Sequence, residues 1–179
     1  MADVTPLSEN SAILPEPFER WFESRGWAAR DHQLALARLA HQGRSVLLTA
    51  PTGGGKTLAG FLPSLIDLAS HDGEPPAGLH TLYISPLKAL SVDVARNLEA
   101  PAVEMAMPIS IETRTGATPQ SKRVRQRRKP PHILLTTPES LALLLSYADA
   151  PRMFGKLQAV IIDELHALAN NKRGEMLAL

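Results

Sequence analysis

The 179-residue sequence contains no cysteine. Disulfide staples, thiolate nucleophiles and cysteine-bound metals are therefore excluded, and the composition suits a reducing compartment, with a cytoplasmic address as the expectation. Aromatic residues make up only 4% of the chain, so recognition built on stacked rings has little to draw on. Long apolar runs are also missing: a stretch such as 141–145 falls far short of the roughly 20 residues that span a bilayer. Residues 1–9 carry acids and a proline in place of a basic and apolar leader, so neither export nor a membrane partner is expected. The six histidines show no paired ligand spacing and no serine sits in a nucleophile elbow, which removes metal-ligand catalysis and acyl transfer from consideration.

What is present is ordinary globular material, 44% apolar and 21% charged, in a length that suits one domain. The net charge of +1 conceals an uneven distribution. Lys122, Arg123, Arg125, Arg127, Arg128 and Lys129 hold six of the 19 basic residues, leaving 13 bases against 18 acids elsewhere. Such a run is either a solvated helix face or an electrostatic rim that attracts phosphate.

Residues 1–14 lack any period and read as a loose leader; the body is expected over 15–179. Phe18, Trp21 and Phe22 recur at helical spacing before Gly26, and Leu34, Leu36 and Leu39 do so between Asp31 and Gly43. Val46, Leu47 and Leu48 then form a short apolar run into a glycine cluster, followed by helical spacing through Leu58, Phe61, Leu62, Leu65 and Leu68. This reads as strand, loop, helix. The pattern recurs with apolar runs at 81–84 and 133–136, each followed by a helical segment, at 87–100 and 139–146. A further strand is expected at 109–113, and a last apolar run at 159–162 reads as a doubly buried strand ending at Asp163 and Glu164. Alternation of this kind predicts an α/β fold, a parallel sheet with helices on both faces and a ligand crevice beyond the carboxyl ends of the strands. The final residues, 174–179, read as the opening of an apolar helix, so the chain is expected to be truncated at its carboxyl end.

The strongest local signal is Ala50-Pro51-Thr52-Gly53-Gly54-Gly55-Lys56-Thr57, set between a strand and an amphipathic helix. The glycines let backbone N–H groups converge on phosphate oxygens, Lys56 adds a mobile charge, and Thr57 offers a hydroxyl to Mg2+. Ala50 stands where the general pattern has its first glycine. Asp163-Glu164-Leu165-His166 follows the last strand directly, placing two adjacent carboxylates at a strand end. A magnesium-bound nucleotide explains such a pair: Asp163 holds the ion and Glu164 orients and deprotonates the attacking water.

Together these two motifs resemble the first RecA-like lobe of a superfamily 2 DExH helicase. Ser85-Pro86-Leu87-Lys88-Ala89-Leu90, Arg114-Thr115-Gly116-Ala117-Thr118 and Thr136-Thr137-Pro138-Glu139-Ser140-Leu141 resemble that family's nucleic-acid-contacting motifs, in the same order. Asn171-Lys172-Arg173-Gly174 resembles the Lhr-type (large helicase-related) branch, which includes ligase-associated DNA helicases. The resemblance implies ATP and Mg2+ as cofactors and single-stranded DNA as partner. It implies that Gln33 reads the adenine edge, that Thr52, Gly53, Gly54, Gly55, Lys56 and Thr57 hold the phosphates, and that His166 couples nucleotide state to strand binding. Pro86, Lys88, Arg114, Gly116, Thr137, Pro138, Glu139 and Ser140 would contact the strand backbone without reading sequence. It also implies a second RecA-like lobe and a Ser/Thr-Ala-Thr motif on a central strand, both outside this sequence. The fragment alone is therefore expected to be inactive and its core open. Trp21, Phe22 and Trp27 read as core-packing rings, with adenine stacking as the alternative. Two rival functions remain: a P-loop kinase or transporter ATPase, and a basic nucleic-acid-binding module with a vestigial phosphate loop.

Overall fold

The computed structural model describes residues 14–179 except 52, 72, 87, 169–173 and 175–179, with the side chains of 88–92 also left aside. The leader at 1–13, Thr52, Leu87, the Asn171–Arg173 part of the Lhr-like stretch and the helix opening at 175–179 thus lie outside the described residues. The chain divides into two compact units at Ser70/His71.

The first unit is helical. Pro17 starts α1 (Glu16–Ser24), which buries Phe18, Trp21 and Phe22 on one face. Asp31 opens α2 (Asp31–His41), which packs against α3 (Lys56–Ala69). Both short helices close as expected at Gly26 and Gly43, where paired backbone bonds tie off the last carbonyls: Gly26 N–H to Glu23 and Trp27 N–H to Phe22, then Gly43 N–H to Ala40 and Arg44 N–H to Leu39. Trp21 and Phe22 are buried, whereas Trp27 stands out in solvent, edge-on to Trp21 with the Arg25 guanidinium over both indoles. The strand expected at Val46–Leu48 is not formed. Residues 44–50 have no ladder partner among the described residues, and Leu47 is 75% exposed. Apolar character alone does not make a strand; pairing does.

The second unit is a parallel sheet of four strands, β1 (Thr81–Ile84), β2 (Ile111–Arg114), β3 (Ile133–Thr136) and β4 (Ala159–Ile162), in the order β2-β3-β1-β4. The connecting helices are α4 (Lys88–Glu104), α5 (Gln120–Arg128), α6 (Pro138–Leu145) and α7 (Ala150–Phe154), and α8 (Leu165–Leu168) follows β4. From β1 the chain crosses to the far edge at β2, then steps back through β3 to β4. Right-handed crossovers that reverse direction put their helices on opposite faces, α4 on one and α5 to α7 on the other. In agreement, α4 packs over β2 and β3, and α5 against α7. Leu82, Ile84 and Leu134 form one core with Leu141, Leu144 and Met153 of α6 and α7.

Burial separates centre from edge. Every residue of β1 and β3 is buried, as the continuous apolar runs imply. The expectation of a doubly buried β4 is corrected: its residues alternate between half-buried and exposed, because β1 is its sole strand neighbour among the described residues. β2 begins two residues later than expected, and the short α7 has no forerunner in the sequence reading. No helix among the described residues is long and apolar enough to cross a membrane.

Candidate functional site

The phosphate loop lies in the first unit. Gly53 and Gly55 take φ of +76° and +74°, a left-handed backbone that side-chain-bearing residues resist. Gly54 is required for a different reason, since a Cβ there would meet the Pro51 carbonyl oxygen at 2.8 Å. The Lys56 ammonium folds back and donates to the carbonyls of Ala50 at 2.7 Å and Pro51 at 2.9 Å. Thr57 follows on the exposed first turn of α3.

Gln33 occupies a place the sequence reading did not foresee. It is 4% exposed, its Oε1 accepts the Arg30 N–H at 2.9 Å, and its Nε2 donates to the Gly55 carbonyl at 3.4 Å. The amide therefore braces the phosphate loop from α2, and both of its ends are engaged within the chain. A Cβ at Gly55 would strike that Nε2 at 2.9 Å, so glycine there makes room for the brace.

The second unit gathers the other motifs. In the sheet Arg114 pairs with Thr136, Thr136 with Ile84, and Ile84 with Ile162, so all four strands end level. The segments that follow, from Thr115, Thr137, Ser85 and Asp163, consequently stand in one row at the carboxyl rim. Cross-links hold the row: the Thr136 hydroxyl donates to the Arg114 carbonyl at 2.8 Å, Ser85 N–H to Thr136 at 3.1 Å, and Asp163 N–H to Ile84 at 2.9 Å.

At the end of β4 the acidic pair is tightly arranged. Glu164 has φ of +50°, unusual for a residue with a side chain, and this turn brings its own N–H onto Asp163 Oδ1 at 2.8 Å. The other oxygen, Oδ2, accepts from the Tyr83 hydroxyl at 2.5 Å. Burial in β1, reinforced by the neighbouring carboxylate, pushes the Tyr83 phenol well above its ordinary range, so it remains a donor. His166 Nε2 sits 3.2 Å from Glu164 Oε2 on an exposed side chain.

Among the residues proposed to touch a strand, Gly116 and Glu139 are exposed and Ser140 is half-buried. The side chain of Lys88 lies outside the described residues. Arg114 is corrected: it is 2% exposed, donates to the Arg123 carbonyl at 3.0 Å and also bonds Tyr147. Burial holds its guanidinium below the ordinary value. A side chain so enclosed fastens α5 and presents nothing to a ligand. Pro86, Thr137 and Pro138 are buried as well. Thr137 caps α6 by accepting the Ser140 N–H at 3.4 Å. What the rim exposes is backbone, notably the Gly116 N–H, which has no partner among the described residues.

The basic run forms α5, and much of its charge is spent inside the unit. Glu112 Oε2 accepts from Arg125 at 2.9 Å and Gln126 at 2.8 Å, with Lys122 at 3.8 Å. Arg123 donates to the carbonyls of Thr115 at 3.1 Å and Gly116 at 2.5 Å, clasping the 115–118 turn. Arg127 stacks on the Tyr147 ring and pairs with Asp149 at 3.7 Å. Arg128 and Lys129 are left facing solvent. Tyr83, Glu112 and Gln126 were missed by sequence reasoning, although a tyrosine inside a fully buried strand usually takes a partner for its hydroxyl.

The sequence pattern of the DEAD/DEAH box helicases matches residues 30–179. The chain belongs to the DEAD/DEAH box helicase family. Within that family it is similar to proteins named ATP-dependent helicase Lhr-Core, with 39% identity over 93% of this chain to that of Methanocaldococcus jannaschii. To that of Methanothermobacter thermautotrophicus it has 43% identity over 96% of the chain. It spans about a fifth of the length of either relative, 21% in each case. Among solved structures, the Mycobacterium smegmatis helicase Lhr bound to ssDNA and AMP-PNP superposes with a TM-score of 0.83 at 39% identity, covering 92% of this chain and 22% of that one. The RecA-like lobe and the Lhr resemblance read from the sequence agree with these matches. The two rival functions are not favoured by them.

Proposed function

We propose that this chain is the ATP-binding lobe of an ATP-dependent DNA helicase or translocase, with single-stranded DNA as its partner and the cytoplasm as its place of work. The observation that supports the reading is the level ending of the four strands, after which the segments from Thr115, Thr137 and Ser85 and the acidic box follow in one row. Backbone groups in such a row take phosphate oxygens regardless of sequence, as a motor requires.

The residues fit a magnesium nucleotide. The phosphate loop has no space for a Cβ at Gly54 or Gly55, so its backbone can close on phosphate oxygens. Thr57 in the first unit and Asp163 in the second each offer a hard oxygen of the kind that magnesium takes alongside water and phosphates. Bound there, the magnesium nucleotide supplies a γ-phosphoryl group whose charge is already part-neutralised. Lys56 turns from the carbonyls of Ala50 and Pro51 to the phosphates. Gln33 exchanges its long bond to Gly55 for the adenine edge. Glu164, its carboxylate set by a left-handed backbone, orients and deprotonates the attacking water, and His166 links that carboxylate to the strand-binding rim. A second RecA-like lobe in the whole protein completes the site, so the chain by itself binds without appreciable turnover.

Lys56→Ala tests the reading. Binding of a fluorescent ATP analogue should fall at least tenfold while binding of a labelled oligodeoxythymidylate is retained. Equal nucleotide binding by both forms, or none by the unaltered chain, would sink it.

A further inference from the structure

We propose that Tyr83 is a positioning residue of the acidic box, its phenol fixing the Asp163 carboxylate in the orientation that receives magnesium. The assignment rests on the nucleotide reading above. Tyr83 pairs with Ile161 across the parallel ladder, and Asp163 lies two residues beyond Ile161 on the same face of the strand. The buried ring thus runs along β4 and delivers its hydroxyl to Asp163 Oδ2 at 2.5 Å. Oδ1 is held at 2.8 Å by the Glu164 N–H. Two donors from different elements, one on β1 and one in the turn after β4, fix the plane of the carboxylate. Each oxygen keeps a lone-pair direction for an ion or its water. The Ser85 side chain also bonds the phenol, so the first rim segment after β1 and the acidic box share one hydroxyl.

The alternative is a tyrosine kept for packing, with a hydroxyl that satisfies itself on a convenient acceptor. The two differ in what removing one oxygen does. A packing ring survives Tyr83→Phe with its ligands unaffected. A positioning phenol leaves Asp163 free to rotate, and loss of an outer partner of a metal ligand typically costs about 10- to 100-fold in metal affinity.

The test is a magnesium titration of fluorescent ATP-analogue binding with the full chain. Tyr83→Phe should raise the magnesium concentration at half-maximal binding by about tenfold. Binding in excess chelator and the far-ultraviolet dichroism should stay as in the unaltered chain. Asp163→Asn should raise the magnesium midpoint too, and Tyr83→Phe added to it should raise it no further, because both act through one carboxylate. An unchanged midpoint in Tyr83→Phe overturns the proposal, as does a further rise on the Asp163→Asn background, which would mark a general effect on the fold. A chain that binds nucleotide with no magnesium dependence overturns the ligand role of Asp163 as well. Independently of any variant, the Tyr83 hydroxyl proton of the labelled wild-type chain should be protected from exchange and should shift when magnesium and nucleotide are added. A rapidly exchanging, unresponsive proton refutes the assignment.

Discussion

Glu164 combines a chemical demand with a backbone one. Its φ of +50° costs about 1–2 kcal/mol for a side-chain-bearing residue, and glycine would relieve that strain. The turn is retained with a carboxylate on it, which aims both the side chain and the N–H that steadies Asp163. Gly54 shows the reverse case, a position set by space alone. Gly54→Ala should force the loop away from the Pro51 carbonyl, 2.8 Å from the added methyl, and weaken ATP-analogue binding at least tenfold with far-ultraviolet dichroism unchanged. Unimpaired binding by that variant would show that the loop has slack. Residues of this kind were legible from sequence because backbone demands leave a glycine or a proline behind. Gln33 and Arg114 were found at meaningful places but their surroundings were not legible. The brace that Gln33 makes on the Gly55 carbonyl joins two residues 22 apart in sequence, which no local pattern shows.

At the scale of elements, α5 is the clearest departure from expectation. A run of arginines suggests a face turned to solvent, yet Arg114 and Gln126 are buried beneath it, and Glu112 of β2 gathers Arg125, Gln126 and Lys122 on one oxygen. Glu112→Ala strips the buried Gln126 amide of a partner and should cost about 2 kcal/mol, read as a lower denaturant midpoint. Arg125→Ala, which removes a half-exposed partner of the same carboxylate, should cost less than about 1 kcal/mol. Equal losses would mean that the ion pair, and not the buried amide, holds the helix. The boundaries of β1, β3 and β4 follow the sequence closely, since runs such as Ile133–Thr136 are apolar on consecutive positions and flanked by turn residues. Residues 44–50 could not be assigned this way. Val46, Leu47 and Leu48 are apolar on consecutive positions, as β4 is, but strand formation depends on a neighbour that no local pattern specifies.

In the second unit, β4 is the exposed flank of the sheet. Val160 and Ile162 are 51% and 45% exposed on a strand with one neighbour among the described residues, an arrangement that invites edge-to-edge pairing. The chain should therefore self-associate at micromolar concentration, and Val160→Lys should shift it toward monomer in sedimentation or light scattering. Monomeric behaviour of the unaltered chain throughout would contradict this. The carboxyl rim of the sheet sets a length. With strands about 4.8 Å apart, the rim from Thr115 through Thr137 to Ser85 is only about 10 Å long, room for no more than a few phosphates. A strand held there, as proposed, would release few counterions and be let go readily, so tight hold on a polymer would have to come from repeating or extending the contact.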